Sequence, residues 1–276
     1  MNQVSPDREW LKKEQLLANT IITAAHQADF VYVGFSGGVD SSYLLLKTVE
    51  VLGSQGVVAV TVNAPTSSSQ DIHEATRFAK KIGVKQIVLD APEFNNPIFI
   101  ENNPLRCYHC KRSRYEAILG LHDNSYRITM FDGTQADDNP LDRPGSVAIK
   151  ELNVVTPLAD SGITKQEIRA ELIRLGFNAL ASKQAEPCLA TRIPFGRPIL
   201  EKELEMVRFG EKILKERDLK ISRLRHHGNL ARIVTDESGI RMLLTDNVLR
   251  LEISLHLKNL GFMFVTMDME EYGSVG

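Results

Sequence analysis

The sequence predicts an α/β protein: a parallel sheet flanked by helices, followed by a smaller C-terminal α+β domain. Three observations carry that prediction. Short apolar, largely β-branched runs at residues 30–35, 57–62 and 86–89 alternate with helix-like stretches, as a parallel sheet with crossover helices requires. A Gly/Ser-rich turn at residues 36–42 separates the first run from the helix that follows it. Beyond Ala181 the texture changes to a loop, one long helix and several short strands. A boundary near residue 180 divides the chain into expected domains of 1–180 and 181–276.

The elements follow in order. Trp10, Leu16, Leu17, Ile21, Ile22 and Ala25 recur at roughly helical spacing, so residues 7–27 read as an amphipathic helix leading into strand 30–35. Tyr43 to Leu52 is helix-like until Gly53 stops it. Strand 57–62, a helix over 69–82 opening near Asp71, and strand 86–89 come next. After Pro104, a helix from Cys110 to Leu121 and a strand from Tyr126 to Phe131 close a fourth β-α unit. Asp137, Asp138, Pro140, Asp142, Pro144 and Gly145 mark residues 136–146 as a loop outside the sheet. Val154 and Val155 form a fifth short strand. Thr164 followed by Glu167 is a capping box opening a helix to Leu175, with Gly176 as its stop. In the second domain, residues 200–217 read as a long helix and 222–224 and 231–234 as strands. A helix over 247–260 and a strand over 262–267 complete it.

A chain of 276 residues has room for roughly two domains. Its 33 basic and 35 acidic residues leave a formal net charge of −2, which excludes a uniformly basic nucleic-acid coat and leaves phosphate binding to local patches. Asp7, Arg8, Glu9, Lys12 and Lys13 make the first residues unlike a secretory leader. Asp29 and Asp40 interrupt the most apolar early region, so no uncharged apolar stretch reaches the roughly 18 residues of a membrane span. A cytoplasmic protein without a membrane partner is expected. Three cysteines cannot all pair within one chain, and Cys107 and Cys110 form a C-x-x-C that suggests metal or redox chemistry in a reducing compartment.

Ser36-Gly37-Gly38-Val39-Asp40-Ser41-Ser42 lies between a buried strand and a helix, where backbone N–H groups at the helix start can bind an anion. Gly37 and Gly38 allow a tight turn and close approach to oxygen atoms, while Ser36, Ser41 and Ser42 offer hydroxyl donors. Asp40 repels phosphate and acts instead through Mg²⁺, as ligand or by orienting its waters. The motif lacks the Gly-Lys-Ser/Thr ending of a P-loop, and the nearest lysine, Lys47, lies farther along the helix. S-G-G-x-D-S after a hydrophobic strand resembles instead the PP-loop ATP pyrophosphatases, which include GMP synthetase, NAD synthetase and tRNA thiolases. That resemblance implies ATP binding and pyrophosphate release. Asn63, ending the second strand, is placed either to touch the adenosine or simply as a polar loop residue. Asp132-Gly133-Thr134 ends the fourth strand beside the expected switch point, within reach of nucleotide or metal.

Two intervening residues let the sulfurs of Cys107 and Cys110 point inward around a turn at one metal or cluster. Cys188 supplies a third thiolate if the loop at 186–196 folds back over the sheet edge. Spacing leaves open a cluster with one open iron, structural zinc with His109, His226 or His227 as fourth ligand, or Cys188 buried as a small hydrophobe with the C-x-x-C as a redox pair. Arg192, with Arg223 and Arg225 on one face of a candidate strand, could converge on an anion, against the alternative of a solvated charged strand. Lys111 and Arg143 add positive charge at the same mouth.

Together the loop at 36–42, Arg106-Cys107-Tyr108-His109-Cys110-Lys111, Arg143-Pro144-Gly145, Pro187-Cys188-Leu189-Ala190-Thr191-Arg192 and Arg223-Leu224-Arg225-His226-His227 resemble the LarE family over nearly the whole chain. The resemblance implies an ATP-dependent sulfur transferase acting on pyridinium-3,5-biscarboxylic acid mononucleotide, on the route to the nickel-pincer nucleotide of lactate racemase. Some members carry one cysteine, at the place of Cys188, and surrender its sulfur to leave dehydroalanine. Three cysteines imply instead the branch in which Cys107, Cys110 and Cys188 hold a [4Fe-4S] cluster carrying exchangeable sulfide. It further implies a phosphate site of Arg192, Arg223 and Arg225 with Lys111 and Glu211, a separate sulfide donor, and a homo-oligomer. Two other readings stand beside it: a PP-loop tRNA thiolase or amidating enzyme with a zinc site, and a nucleotide-binding regulatory or metal-storage protein without turnover.

Overall fold

The computed structural model describes residues 8–66, 69–121, 126–138, 144–184, 187–219 and 221–273. It forms two compact units, one of Met1–Ala64, Ser68–Phe99 and Leu105–Glu186, the other of Pro65–Ser67, Ile100–Pro104 and Pro187–Gly276.

In the first unit the described elements run α1 (Arg8–Ala25), β1 (Phe30–Gly34), α2 (Val39–Leu52), β2 (Val57–Asn63), α3 (Ser69–Lys81) and β3 (Lys85–Asp90). A 3-10 turn (Pro92–Asn95), α4 (Pro97–Ile100), α5 (Arg106–Leu119), β4 (Ile128–Phe131), α6 (Gly145–Glu151), α7 (Pro157–Asp160), α8 (Lys165–Arg174) and α9 (Asn178–Ala181) follow. The four strands are parallel in the order β3-β2-β1-β4. The sheet therefore grows to one side of β1 through β2 and β3 and then to the other through β4, so the carboxyl ends of β1 and β4 form a switch point, where open α/β sheets bind ligands.

Strand periodicity sorts the apolar residues onto two faces. Val31, Val33, Val57 and Ala59 pack with Trp10, Leu17 and Ile21 of α1, Leu44 and Leu45 of α2, and Ile168 and Leu172 of α8. Tyr32, Val58, Val60 and Met130 pack with Tyr115 and Ile118 of α5 and Ile149 of α6. Each fully buried leucine here stabilises the fold by about 1.5–3 kcal/mol. Burial on both faces is why these strands read as continuous apolar runs.

Three local expectations need correcting. Helix α5 starts at Arg106 rather than Cys110, because nothing between Pro104 and Lys111 interrupts helix propagation, so the C-x-x-C lies within a helix and not on a turn. Helix α2 starts at Val39 rather than Tyr43, which puts Asp40 in its first turn. Val155 makes only an isolated parallel bridge to Phe131, since Pro157 opens α7 two residues later. The capping box at Thr164 and Glu167 is present as expected.

The second unit contains a 3-10 turn (Leu189–Arg192), α10 (Glu201–Glu216), β5 (Ser222–His227), β6 (Leu230–Thr235), α11 (Glu237–Thr245), α12 (Asn247–Asn259) and β7 (Phe264–Met267). Strand β5 pairs antiparallel with β6 across a two-residue turn, and β7 joins β6 in parallel. Leu214, Leu224, Ile233 and Leu257 form its core. The sequence reading missed α11, whose N-cap Asp236 accepts from the Gly239 amide; that glycine in the first turn disguised the helix. Among the described residues no helix is long and apolar enough to cross a membrane.

Candidate functional site

The loop from Ser36 to Ser42 leaves the carboxyl end of β1 and enters α2. Gly37 has φ +73°, a left-handed conformation that other residues adopt at a cost. Gly38 is the N-cap and provides no side-chain cap, so the first amides of α2 retain their capacity for an anion. The hydroxyls brace the turn from inside: Ser36 and Ser41 Oγ atoms lie 3.1 Å apart, the Gly38 amide donates to Ser36 Oγ at 3.3 Å, and Ser41 Oγ donates to the Gly38 carbonyl at 3.3 Å. Ser42 Oγ is buried with no partner among the described residues. Gly133, just past β4, packs directly on this loop, since a Cβ there would stand 3.1 Å from both Cα and N of Ser41. Asn63 is exposed at the carboxyl end of β2.

Two lysines that sequence reasoning missed flank the loop. Lys165 Nζ donates to both carboxylate oxygens of Asp40, at 2.7 and 2.6 Å. Burial raises the Asp40 carboxyl above its ordinary range, and Lys165 only partly offsets it. Lys183 Nζ lies 3.0 Å from Glu74 Oε2 and 3.4 Å from the Gly37 carbonyl oxygen. A signal for Lys165 existed: a cation at the first position of α8 opposes the helix dipole unless an acid or anion sits nearby.

Asp132 is only 8% exposed, and its carboxylate is already engaged. Lys111 Nζ is 3.1 Å away, Tyr115 and Thr134 hydroxyls donate to it, and the Thr134 amide donates at 2.9 Å. Burial pushes its pKa up, but Lys111 and these hydrogen bonds outweigh that and leave it lowered. Lys111 therefore ties the cysteine-bearing helix to the end of β4. Gly145 permits α6 to approach there, because a Cβ would come 3.2 Å from Lys111 Cδ and 3.4 Å from the Cys107 carbonyl oxygen. Arg143 lies outside the described residues.

In the second unit Cys188 caps the 3-10 turn and is exposed. The backbone around it is pinned: Leu189 N donates to the Thr66 carbonyl at 3.0 Å, and Thr191 Oγ1 to the Cys188 carbonyl at 2.8 Å. Arg192 is 4% exposed; its Nε donates to Glu211 Oε1 at 2.7 Å and its Nη1 to the Pro187 carbonyl at 3.2 Å. Glu211 Oε1 also accepts the Leu224 amide at 3.0 Å. Arg192 and Glu211, both expected at a phosphate, thus satisfy each other and hold the Cys188 turn against α10 and β5.

Arg223 and Arg225 alternate along β5, as expected, both half-buried. Arg223 lies over the Tyr272 ring at 5.0 Å. Arg225 pairs in register with Arg232 of β6, which the sequence reading did not single out. Burial lowers the Arg225 pKa, and the Arg232 and Arg192 charges lower it further. Like charges directly opposite on paired strands destabilise a sheet unless an anion lies between them. His227 is likewise depressed, by burial and then by Arg232, Arg225 and Arg197.

Cys107 and Cys110, three apart on α5, suit two corners of a cluster, and Cys188 belongs to the second unit. Among the described residues no group of three or more His, Cys, Asp or Glu is gathered to hold a metal ion. The thiol chemistry fits iron–sulfur ligation, while the arrangement described supplies a pair rather than a set of three.

Residues 10–99 match the NAD synthase family. The Synechocystis sp. PCC 6803 protein slr1717 is 33% identical over 248 residues, 90% of this chain and 91% of its own. The chain belongs to the slr1717 family. Its first unit is a PP-loop domain of the NAD synthase type, which accounts for the parallel sheet and the Ser36–Ser42 loop. Among relatives of this slr1717-family chain, the pyridinium-3,5-bisthiocarboxylic acid mononucleotide synthase of Lactiplantibacillus plantarum is 27% identical over 255 residues, covering 92% of this chain and 91% of that enzyme. The NH3-dependent NAD+ synthetase of Methanopyrus kandleri is 34% identical over 91 residues, 33% of this chain and 31% of that enzyme. Similarity to the synthetases is thus local, whereas slr1717 and the mononucleotide synthase extend through both units.

Proposed function

We propose that this protein is an ATP-dependent sulfur transferase that converts a carboxylate of pyridinium-3,5-biscarboxylic acid mononucleotide to a thiocarboxylate, in nickel-pincer nucleotide biosynthesis. The observation that carries the reading is the Ser36–Ser42 loop, an uncapped helix start at the switch point of a PP-loop sheet. End-to-end similarity to the Lactiplantibacillus plantarum synthase supports the choice of substrate.

In this reading a substrate carboxylate oxygen attacks the α-phosphorus of ATP, the bond to the β-phosphate oxygen breaks, and pyrophosphate leaves. The amides of α2 and the loop hydroxyls stabilise the departing charge, and Asp40 would hold a Mg²⁺ that supplies further charge stabilisation there. Hydrosulfide from a donor then attacks the carbonyl carbon, the bond to AMP breaks, and thiocarboxylate and AMP result. Adenylylation is needed because carboxylate oxygen is otherwise a poor leaving group. Asn63 faces the adenosine, Gly133 supports the loop at Ser41, and Asp132 fixes Lys111 at the end of β4. Arg223 and Arg225, joined by Arg232, hold the mononucleotide phosphate with bidentate guanidinium contacts. Arg192 and Glu211 position the turn that bears Cys188. A [4Fe-4S] cluster held by Cys107, Cys110 and Cys188 would supply exchangeable sulfide. Action in the cytoplasm as a homo-oligomer belongs to the same proposal.

The test is product analysis under anaerobic conditions with ATP, Mg²⁺, sulfide and the biscarboxylate mononucleotide. Expected products are AMP, pyrophosphate and a nucleotide in which sulfur has replaced oxygen. Pyrophosphate release with an unaltered substrate mass, in the presence of sulfide, would overturn sulfur transfer.

A further inference from the structure

Asp40 stands in the first turn of α2, where the helix dipole favours a negative charge and where a metal partner for phosphate is wanted. In the structure that carboxylate is met by an ammonium. Lys165 Nζ contacts both Asp40 oxygens, and the two side chains are about one-third and one-quarter exposed, at 32% and 26%. The main chain of Lys165 is fixed independently. Its amide donates to Asp137 Oδ2 at 2.8 Å, and the Thr164–Glu167 capping box locks the turn around it. Only the flexible four-carbon stem is left to move.

The other flank repeats the arrangement. Lys183 is parked on Glu74 and the Gly37 carbonyl. It is held there from α8: Arg169, one turn beyond Lys165, donates to the carbonyl oxygens of Ala181 and Lys183. Helix α8 therefore holds two cations at one anion-binding loop, one on Asp40 and one at the Gly37 carbonyl, each resting on a carboxylate.

We propose that Lys165 and Lys183 are the pyrophosphate-binding cations of this loop, and that Lys165 also stands in for the metal on Asp40 until nucleotide arrives. This rests on the ATP reading above. When a triphosphate enters, Lys165 transfers from the Asp40 carboxylate to phosphate oxygen, and Asp40 is released to Mg²⁺. The half-buried carboxylate has a cation at every stage, so no uncompensated charge is left at the site. A consequence is coupling: metal binds Asp40 weakly before nucleotide and strongly with it, and by linkage each raises the other's affinity equally.

The experiment measures binding of inorganic pyrophosphate by calorimetry, and of Mn²⁺ by electron paramagnetic resonance, to the full chain. Wild type is expected to bind pyrophosphate with Mg²⁺ and to bind Mn²⁺ alone poorly. Lys165→Met should weaken pyrophosphate at least tenfold and tighten Mn²⁺ alone several-fold, since Asp40 is then free. Lys183→Met should weaken pyrophosphate without changing Mn²⁺. Lys165→Gln provides a second neutral variant should Lys165→Met fold poorly. If either Lys165 variant binds pyrophosphate within twofold of wild type, or leaves Mn²⁺ affinity unchanged or lower, the exchange is overturned while the ATP reading stands. Wild type that binds neither pyrophosphate nor ATP with Mg²⁺ overturns both.

Discussion

Inside the second unit the guanidinium of Arg192 and the carboxylate of Glu211 face one another at 2.7 Å, nearly excluded from solvent. The pair joins three segments, because Arg192 also donates to the Pro187 carbonyl and Glu211 accepts the Leu224 amide. Removing one partner leaves the other charge buried and unpaired. Glu211→Ala is therefore expected to destabilise the unit by about 3–5 kcal/mol in urea unfolding, and joint replacement of both residues by Met to recover much of that loss. A double variant destabilised by the sum of the two single losses would show that the charges act independently.

Gly133→Ala should weaken nucleotide binding without unfolding the chain. Its methyl would meet the Ser41 backbone at 3.1 Å, so the start of α2 must shift by a few tenths of an ångström and its amides move off the phosphate. A loss of about tenfold in ATP affinity, equivalent to ~1.4 kcal/mol, is expected by calorimetry. Unchanged affinity would remove Gly133 from the loop's support.

Cys188→Ser should retain pyrophosphate release with the biscarboxylate substrate yet give no thiocarboxylate, because the turn is held by backbone contacts and Arg192 rather than by the thiol. Mass spectrometry and a pyrophosphate assay on the same sample separate the two steps. Thiocarboxylate formed at the wild-type rate would exclude the thiol from sulfur transfer.

Stability should fall on mild acidification. Burial holds His226 below its ordinary 6.5, with Glu203 only partly opposing it and Arg197 and His227 adding to the depression. Its Nδ1 accepts the Gly228 amide at 3.3 Å, as a neutral ring does. A pKa that is lower folded than unfolded contributes stability above the unfolded value and loses it as pH falls through the folded one. The Tm is expected to drop by several degrees from about pH 7.5 to 5.5, and His226→Gln to flatten that slope. An identical slope in the variant would assign the acid sensitivity elsewhere.

Inorganic phosphate should raise the Tm of the wild-type chain, because it relieves the cross-strand opposition of Arg225 and Arg232. Arg232→Gln and Arg225→Gln should each lose most of that shift. A full shift in Arg232→Gln would place the phosphate away from this pair.

Much of the first unit was legible because its signals are local. Strand runs such as Val31 to Val33 are apolar on both faces, and Thr164 with Glu167 caps a helix through adjacent residues. The C-x-x-C misled in conformation, since two intervening residues are as compatible with one helical turn as with a loop, and only packing against β4 distinguishes them. Helix α11 escaped notice because Gly239 interrupts its pattern.

The linear chain determined the alternation of strands and helices, the anion-binding turn after β1, and the residue types able to handle sulfur and phosphate. Those follow from backbone propensity and side-chain chemistry, which are properties of neighbouring residues. Tertiary structure decided which charges meet: Lys165 with Asp40 across 125 positions, Lys111 with Asp132, Arg192 with Glu211, and Arg225 opposite Arg232. Coulomb attraction falls with distance through space and not along the chain, so partners remote in sequence become readable only once the sheets and helices have been packed.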